Sequence, residues 1–101
     1  MTSKLTLNEC KQITMDICKK KGWDGQPVEN IWMFLTEEVG ELASAIRRTT
    51  NQFADKKKTN VEGEIMDVMS YLFQIADIFD VDLDNAFQEK NSIKKHYNIL
   101  K

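Results

Sequence analysis

Apolar residues recur every three or four positions along most of this chain, which is the spacing of one face of an α-helix. Four segments carry the pattern, and each has the start or stop signals of a helix. They are predicted to run from about Leu7 to Lys21, Val28 to Arg48, Val61 to Phe79 and Leu83 to Ile99. No segment shows the strict apolar–polar alternation of a half-buried strand. The pattern therefore predicts a single all-α domain over residues 1–101, similar to a four-helix bundle.

Capping residues mark where the predicted helices begin. Thr6 and Glu9 form a capping-box pair at the start of the first helix, and Thr59 with Glu62 forms a second possible pair before the third. Asp82 is the expected N-cap of the fourth helix, where its side chain can accept hydrogen bonds from free backbone N–H groups.

The third helix is more apolar than a single buried face requires. Its stripe includes Ile65 and Leu72, and Met66 and Phe73 widen it beyond the usual limits. We therefore expect this helix to be covered on more than one side. A chain of 101 residues also has a thin core, which favours a second chain that shares apolar surface.

Composition and charge narrow the class of protein. The 14 Lys and Arg residues against 16 Asp and Glu residues give a net charge of -2, which argues against nucleic-acid binding. No apolar run approaches the roughly 20 residues that span a bilayer, and the N-terminus has no apolar signal segment. Cys10 and Cys18 are about 12 Å apart along one predicted helix, too far for a disulfide. Both are expected to be free and at least half-buried, in a cytoplasmic protein.

Two groups of carboxylates lie beside the apolar stripes rather than opposite them. On a helical wheel, Glu38 and Glu41 flank the stripe of the second helix, and Glu37 lies further round. Glu64 and Asp67 flank the stripe of the third helix. If the two helices are antiparallel, four of these carboxylates meet in one cleft, and their repulsion calls for a cation. Oxygen ligands with no His or Cys nearby favour Mg²⁺, with Mn²⁺ as a substitute, over zinc.

Two other interpretations of the carboxylates compete with a magnesium site. Each pair alone is common on a solvated helix face, so the residues by themselves leave the metal site and plain surface about equally open. A di-iron bundle needs Glu-x-x-His pairs from two helices. The single histidine, His96, lies near the C-terminus and is expected to be exposed.

The segment Leu35-Thr-Glu-Glu-Val-Gly-Glu-Leu-Ala-Ser-Ala-Ile46, followed by Glu64-Ile-Met-Asp-Val68, resembles the MazG-like branch of the all-α nucleoside triphosphate pyrophosphohydrolases. Their motif is Glu-Glu-x-x-Glu, a variable spacer and then Glu-x-x-Asp. The resemblance implies a Mg²⁺-dependent enzyme that hydrolyses a nucleoside triphosphate to the monophosphate and pyrophosphate. It also implies a homodimer or a dimer of dimers.

The resemblance assigns roles by position to the five carboxylates. It implies that the metal is held by Glu38, Glu41, Glu64 and Asp67. Glu37 would be a further ligand or would orient water. The metal would activate a water molecule for attack on phosphorus while carboxylates from two helices hold it.

Candidate substrate-binding residues lie in the loop before the second helix, on that helix and on the fourth. Trp23 is a candidate for stacking on the base, and Asn30 for contact with the sugar or base. Trp32, at the edge of the apolar stripe, is expected to pack in the core instead. The fourth helix offers three candidates for binding phosphate: Lys90, Asn91 and Lys94. The family often has an Asn and then an Arg after the lysine, whereas here Lys94 takes the place of the Asn and no Arg follows.

Two alternative functions are compatible with the same pattern. A relative that acts on dUTP, dCTP or phosphoribosyl-ATP would keep the same carboxylates. A non-catalytic helical protein that binds a protein partner would keep the apolar stripes, but it would not need four carboxylates in one cleft.

Overall fold

Four α-helices make up most of the chain that the computed structural model describes, residues 4–50 and 60–91. They are α1 (Leu7–Lys21), α2 (Val28–Thr50), α3 (Val61–Ile78) and α4 (Leu83–Asn91). No strand occurs in these two ranges. The all-α prediction is confirmed, and none of the described helices is long and apolar enough to cross a membrane.

The predicted helix boundaries agree closely with the structure. α1 begins and ends as predicted, α2 continues two residues past Arg48, and α3 ends one residue before Phe79. α4 begins at Leu83 as predicted. Its predicted end at Ile99 lies outside the described residues.

Both ends of α1 are capped by residues next to the helix in the sequence. The Thr6 hydroxyl accepts a hydrogen bond from the Glu9 N–H at 3.1 Å, and the Glu9 carboxylate accepts one from the Thr6 N–H at 3.0 Å. Gly22 ends the helix with φ 75°, a left-handed conformation that glycine adopts without strain. The predicted capping box is therefore confirmed.

The prediction of a second capping box at the start of α3 is wrong. The N-cap is Asn60, whose side-chain oxygen accepts a hydrogen bond from the Gly63 N–H at 3.0 Å. Asn caps helices as well as Thr does, and it lies next to the first helical residue. Thr59 lies outside the described residues.

The third helix lies between α1 and α2, and α4 packs mainly against α1. Phe34 contacts Tyr71, while Glu38, one turn later on α2, approaches Asp67, one turn earlier on α3. α2 and α3 are therefore antiparallel, which is the condition for their carboxylates to meet in one cleft. The number of helices agrees with the prediction. The bundle arrangement stays a prediction, because α4 is described only as far as Asn91, and this part contacts α1. The buried apolar residues are Cys18, Ile31, Leu35, Ala45, Phe73 and Ala76.

The N-terminal ends of α1 and α4 are joined by reciprocal hydrogen bonds. The Asp84 carboxylate accepts from the N–H groups of Leu7 at 3.0 Å and Asn8 at 3.3 Å. The Asn8 side chain accepts from the Leu83 N–H and donates to the Asp82 carboxylate, both at 2.8 Å. Each helix thus caps the other, with two carboxylates near the positive ends of two helix dipoles. We call Asn8, Asp82 and Asp84 the α1–α4 clasp.

Substitution of Asn8 is expected to weaken this clasp. Asn8→Ala should lower the free energy of unfolding by about 1 kcal/mol, as for other lost helix caps. The midpoint of thermal unfolding should fall by roughly 4–8 °C. The control is Asn85→Ala, an exposed position in the first turn of α4. Equal losses in the two variants would show that the Asn8 side chain is not the connection.

The loss of stability in Asn8→Ala is also expected to depend on pH. The hydrogen bonds from Asn8 and from the Asn85 N–H hold the pKa of Asp82 below its usual range. The Asp82 carboxylate stabilises the folded state fully above the ordinary carboxyl pKa of about 4. This stabilisation is lost as the pH falls through the lower pKa that Asp82 has in the folded protein. The difference in unfolding free energy between wild type and Asn8→Ala should therefore begin to narrow once the pH falls below about 4.

One side of the α2–α3 pair is left uncovered by the described chain. Six large apolar residues on it are 42–63% exposed: Trp32, Val39, Ile46, Ile65, Leu72 and Phe79. The first three lie on α2 and the last three on α3 or directly after it. Within each group of three the residues are seven positions apart, so they form a line along the helix. We call these six residues the outer stripe. Trp32 is 59% exposed, so the expectation that it packs in the core is wrong for the single chain.

Candidate metal and nucleotide site

Glu38 lies at the interface between α2 and α3. The buried residues of α2 are Ile31, Leu35 and Ala45, and Glu38 lies among them on the wheel and is half-buried. This face is rotated from the centre of the apolar stripe, because part of that stripe remains exposed on the other side of α2. The sequence placed Glu38 at the shoulder of the apolar stripe, and the half-buried position in the structure agrees with this.

Three carboxylates converge between α2 and the first turns of α3. One oxygen from each of Glu38, Glu64 and Asp67 lies within 4.8 Å of the others. Glu38 and Glu64 are half-buried, and Asp67 is exposed. Glu64 and Asp67 share a side of α3 because they are three residues apart. We call these three residues the carboxylate cluster.

The cluster favours a proton or a cation. Burial raises the pKa of Glu38, and the charges of Asp67 and Glu64 and a hydrogen bond with Glu64 raise it further. The Oε2 atom of Glu64 is buried and has no hydrogen-bond partner in the described part of the chain. A buried oxygen of this kind destabilises the fold unless something satisfies it. The residues present therefore fit a hard divalent cation, which would contact oxygen ligands only.

A cleft of about 460 Å³ opens beside the cluster. Its lining residues come from the α1–α2 loop, α2 and α3: Trp23, Gln26, Ile31, Phe34, Glu38, Asp67, Ser70, Tyr71 and Gln74. Those from α3 are three or four residues apart, so they form one row on a single face. The row extends about 10 Å from Asp67 to Gln74, at 1.5 Å per residue. The cleft is acidic at one end. Away from that end it is lined by aromatic and apolar side chains together with the polar side chains of Ser70, Gln74 and Gln26.

Aromatic rings form the walls between these two ends. The ring centroids of Phe34 and Tyr71 are 5.9 Å apart, with the planes tilted by 36°. Burial raises the pKa of Tyr71, and the charges of Glu38 and Asp67 raise it further. The phenol is therefore protonated at neutral pH and can donate a hydrogen bond into the cleft.

Trp23 stands at the mouth of the cleft. Its ring is 55% exposed, and the Lys21 ammonium lies 4.7 Å from the ring centroid, within cation–π distance. Its backbone N–H donates to the Cys18 carbonyl at 2.8 Å, just after the left-handed Gly22. The end of α1 thus fixes where this ring lies.

The sequence model of the MazG nucleotide pyrophosphohydrolase domain matches residues 26–96, which is most of the chain and includes every residue of the carboxylate cluster. The chain belongs to the MazG family. Membership implies a nucleotide pyrophosphohydrolase, in a family that generally depends on divalent metal ions. A search of the curated proteins found no match.

Three of the four metal ligands expected for a MazG protein are brought together. Glu41 is exposed and contributes no oxygen to the cluster, although its charge helps to raise the pKa of Glu38. Glu37 is also exposed, and its charge helps to raise the pKa of Tyr71. The roles of Glu37 and Glu41 stay predictions.

The predicted substrate-binding residues are divided between different surfaces. Trp23 lines the cleft, and its contact with the base stays a prediction. Asn30 is exposed and does not line it, but it donates a 3.1 Å hydrogen bond to Gln26, which does. Lys90 lines a separate groove between α1 and α4, beside Leu7.

The remaining candidates near the C-terminus lie outside what the structure describes. They are the side chain of Asn91 and all of Lys94 and His96. Their predicted roles as phosphate ligands, or as an exposed histidine, are untested.

The sequence reasoning missed most of the cleft wall. Ser70, Tyr71 and Gln74 follow Asp67 at i+3, i+4 and i+7, so extending the carboxylate face of α3 toward its C-terminal end would have found them. Phe34 precedes Glu38 by one turn and is found in the same way on α2. Gln26 lies in a loop, where no periodic signal exists.

Proposed function

We propose that this MazG-family protein hydrolyses nucleoside triphosphates, or deoxynucleoside triphosphates, to the monophosphate and pyrophosphate, with Mg²⁺ or Mn²⁺ as cofactor. The observation that carries the proposal is the carboxylate cluster, which opens directly into a cleft with aromatic walls. The acidic end suits a cation that binds phosphate, and the aromatic walls suit a nucleobase.

The proposed cation ligands are Glu38, Glu64 and Asp67, and the charge of the nearby Glu41 helps to raise the pKa of Glu38. Held there, the cation would bind phosphate oxygens and activate water for attack on phosphorus. The water oxygen would form a bond to phosphorus as the anhydride P–O bond breaks, which gives the monophosphate and pyrophosphate, and the proton lost by the water would pass to solvent. Glu37 is proposed to orient water, and the Tyr71 hydroxyl to donate a hydrogen bond to the substrate.

The decisive experiment is product analysis. Purified protein is given canonical and modified nucleoside triphosphates, dUTP, dCTP and phosphoribosyl-ATP, with Mg²⁺ or with a chelator. We expect monophosphate and pyrophosphate from some of these substrates in Mg²⁺ alone. If no substrate is hydrolysed and Mg²⁺ leaves the midpoint of thermal unfolding unchanged, a non-catalytic helical protein becomes the better interpretation.

Trp23 is proposed to stack on the base at the mouth of the cleft. Trp23→Ala is then expected to raise KM about tenfold or more while kcat stays nearly constant, since a base stacked on an aromatic ring contributes about 1–3 kcal/mol. Trp23→Phe keeps a ring and should retain most of the affinity. Steady-state kinetics on the best nucleotide test this, and an unchanged KM in Trp23→Ala would rule out the stacking.

We also propose that two copies associate through the outer stripe. On the helical wheels, Val39 lies about 140° from Phe34 and Leu72 about 140° from Asp67, so the stripe faces away from the cleft. A second copy related by a two-fold axis presents the same lines of apolar side chains, as self-complementary packing requires. The apolar excess of α3 is explained if α1, α2 and the second copy all cover it.

A further inference from the structure

Gln74 is the one buried polar side chain in the two ranges that the structure describes, with 7% of its surface exposed. It lines the cleft on α3, two turns after Asp67, and so lies away from the carboxylate cluster. None of the proposed chemistry uses it. A buried carboxamide at this position needs its own explanation.

The hydrogen bonds of this carboxamide are incomplete. A glutamine side chain offers two N–H donors and one acceptor oxygen. Within the described chain the Gln74 side chain makes one hydrogen bond, from Nε2 to the Ser70 hydroxyl at 3.5 Å, which is the limit for such a bond. Because Gln74 lines the cleft and makes only this long hydrogen bond within the described chain, a ligand in the cleft can complete the bonds of its carboxamide.

The position of Gln74 in the cleft indicates which part of a nucleotide it would meet. Phosphates at Glu38 and Asp67 place the sugar near the middle of the cleft. The base then lies against the contacting rings of Phe34 and Tyr71, with its outer edge toward Gln74. The row of about 10 Å along α3 is comparable to the length of a nucleoside monophosphate.

We propose that Gln74, together with Ser70, binds the hydrogen-bonding edge of the nucleobase and determines which bases are accepted. Because Ser70 accepts a bond from Gln74, its own hydroxyl proton is free to be donated, and Oε1 of Gln74 is free to accept. The two side chains thus present an acceptor beside a donor.

This arrangement selects for an intact edge rather than for a single base. Each common base has a donor next to an acceptor on its Watson–Crick edge, such as N3–H and O4 of uracil or the amino group and N1 of adenine. Alkylation of that edge removes the match and leaves Gln74 buried and unpaired. The substrates are therefore triphosphates with unmodified Watson–Crick edges, and edge-alkylated nucleotides are rejected. This inference rests on the proposed function.

The test compares each of two nucleotides with its edge-methylated form: UTP with 3-methyl-UTP, and ATP with 1-methyl-ATP. For wild type we expect kcat/KM to favour the unmethylated nucleotide by about tenfold to a hundredfold, as for other buried paired groups. Gln74→Leu should reduce this preference to below about threefold, mainly by raising KM for the unmethylated form. Gln74→Met, which has a side chain of similar length without an amide, should reduce the preference to the same extent as Gln74→Leu. The matched control is Gln26→Leu, another glutamine of the cleft wall, which should keep the preference.

Ribose 5-triphosphate, which has no base, separates a specificity role from a structural one. Its hydrolysis should be the same in wild type and in both Gln74 variants. Equal preferences in wild type and the Gln74 variants, or a parallel loss with ribose 5-triphosphate, would overturn the inference and leave the proposed reaction intact.

Binding provides a readout that does not depend on turnover. The Kd values of UMP and 3-methyl-UMP with Mg²⁺ are measured by calorimetry for the same variants. A preference that Gln74→Leu removes, in a protein that hydrolyses nothing, would reject the proposed reaction and retain the role of Gln74. No preference in wild type would reject that role.

Discussion

Glu64→Gln is expected to abolish pyrophosphate release, with kcat falling at least about a hundredfold. Loss of a residue that merely orients a metal ligand costs 10–100-fold, so loss of a direct ligand should cost at least the upper end of that range. Glutamine is nearly isosteric with glutamate, so the cleft should keep its shape. Pyrophosphate release in saturating Mg²⁺ measures the effect.

The same variant has a second expected result that does not depend on activity. Without metal, Glu64 adds a negative charge beside Glu38 and Asp67, and one of its oxygens is buried without a partner in the described chain. Neutralising it should keep or raise the midpoint of thermal unfolding in chelator. Mg²⁺ should stabilise wild type and should have little effect on Glu64→Gln.

The matched control for both measurements is Glu62→Gln, the same substitution two residues earlier on α3 at an exposed position. It should leave turnover and the response to Mg²⁺ unchanged. Full activity in Glu64→Gln would show that the carboxylate cluster is not the catalytic metal site. Equal losses in the two variants would point to damage to α3 itself.

Leu72→Glu is expected to convert the proposed dimer, or a larger assembly, to a monomer. Leu72 is 48% exposed in the middle of the outer stripe. A carboxylate buried in an apolar contact between copies costs several kcal/mol, which weakens association by at least about a thousandfold. Sedimentation at micromolar concentration should give a mass of 11.7 kDa, that of one chain, for Leu72→Glu and a larger mass for wild type.

The control for association is Ile78→Glu. Ile78 has a similar exposure, 44%, and lies on the same helix but outside the outer stripe. It should leave the mass unchanged. A wild-type protein that sediments as a monomer at micromolar concentration would contradict the proposed assembly, and Leu72→Glu would then have nothing to disrupt.

Local signals in the sequence were enough to predict the helices. The bounds of α1 follow from the Thr6–Glu9 capping box and from Gly22, which act within one turn of the helix end. The capping residue of α3 was predicted one position too early, because Thr59 and Asn60 are adjacent and both cap well. Spacing along one helix does not decide between them.

The candidate site was only partly predictable. Periodicity places Glu38 and Asp67 beside apolar stripes, and this is enough to suggest a shared cleft. It does not show how a wide stripe is divided between two neighbouring elements, so the exposure of Trp32 was misjudged. That division depends on how α2 is rotated against α3, which is a property of the packed pair.

The α1–α4 clasp was the least predictable feature. Asn8 and Asp84 are separated by 76 positions, and polar contacts over such distances leave no periodic trace. Acidic residues near the start of α4 were expected to cap or to be solvated. Only the tertiary fold shows that Asp84 of α4 caps the N-terminal end of α1.

The clasp also changes which backbone amides exchange their hydrogens with water. Amides in the first turn of a helix have no partner within the helix and usually exchange rapidly. Those of Leu7, Asn8 and Leu83 are instead bonded to side chains of the opposite helix. They exchange only when α1 and α4 separate, so three amides from distant parts of the chain become protected together and report one local opening.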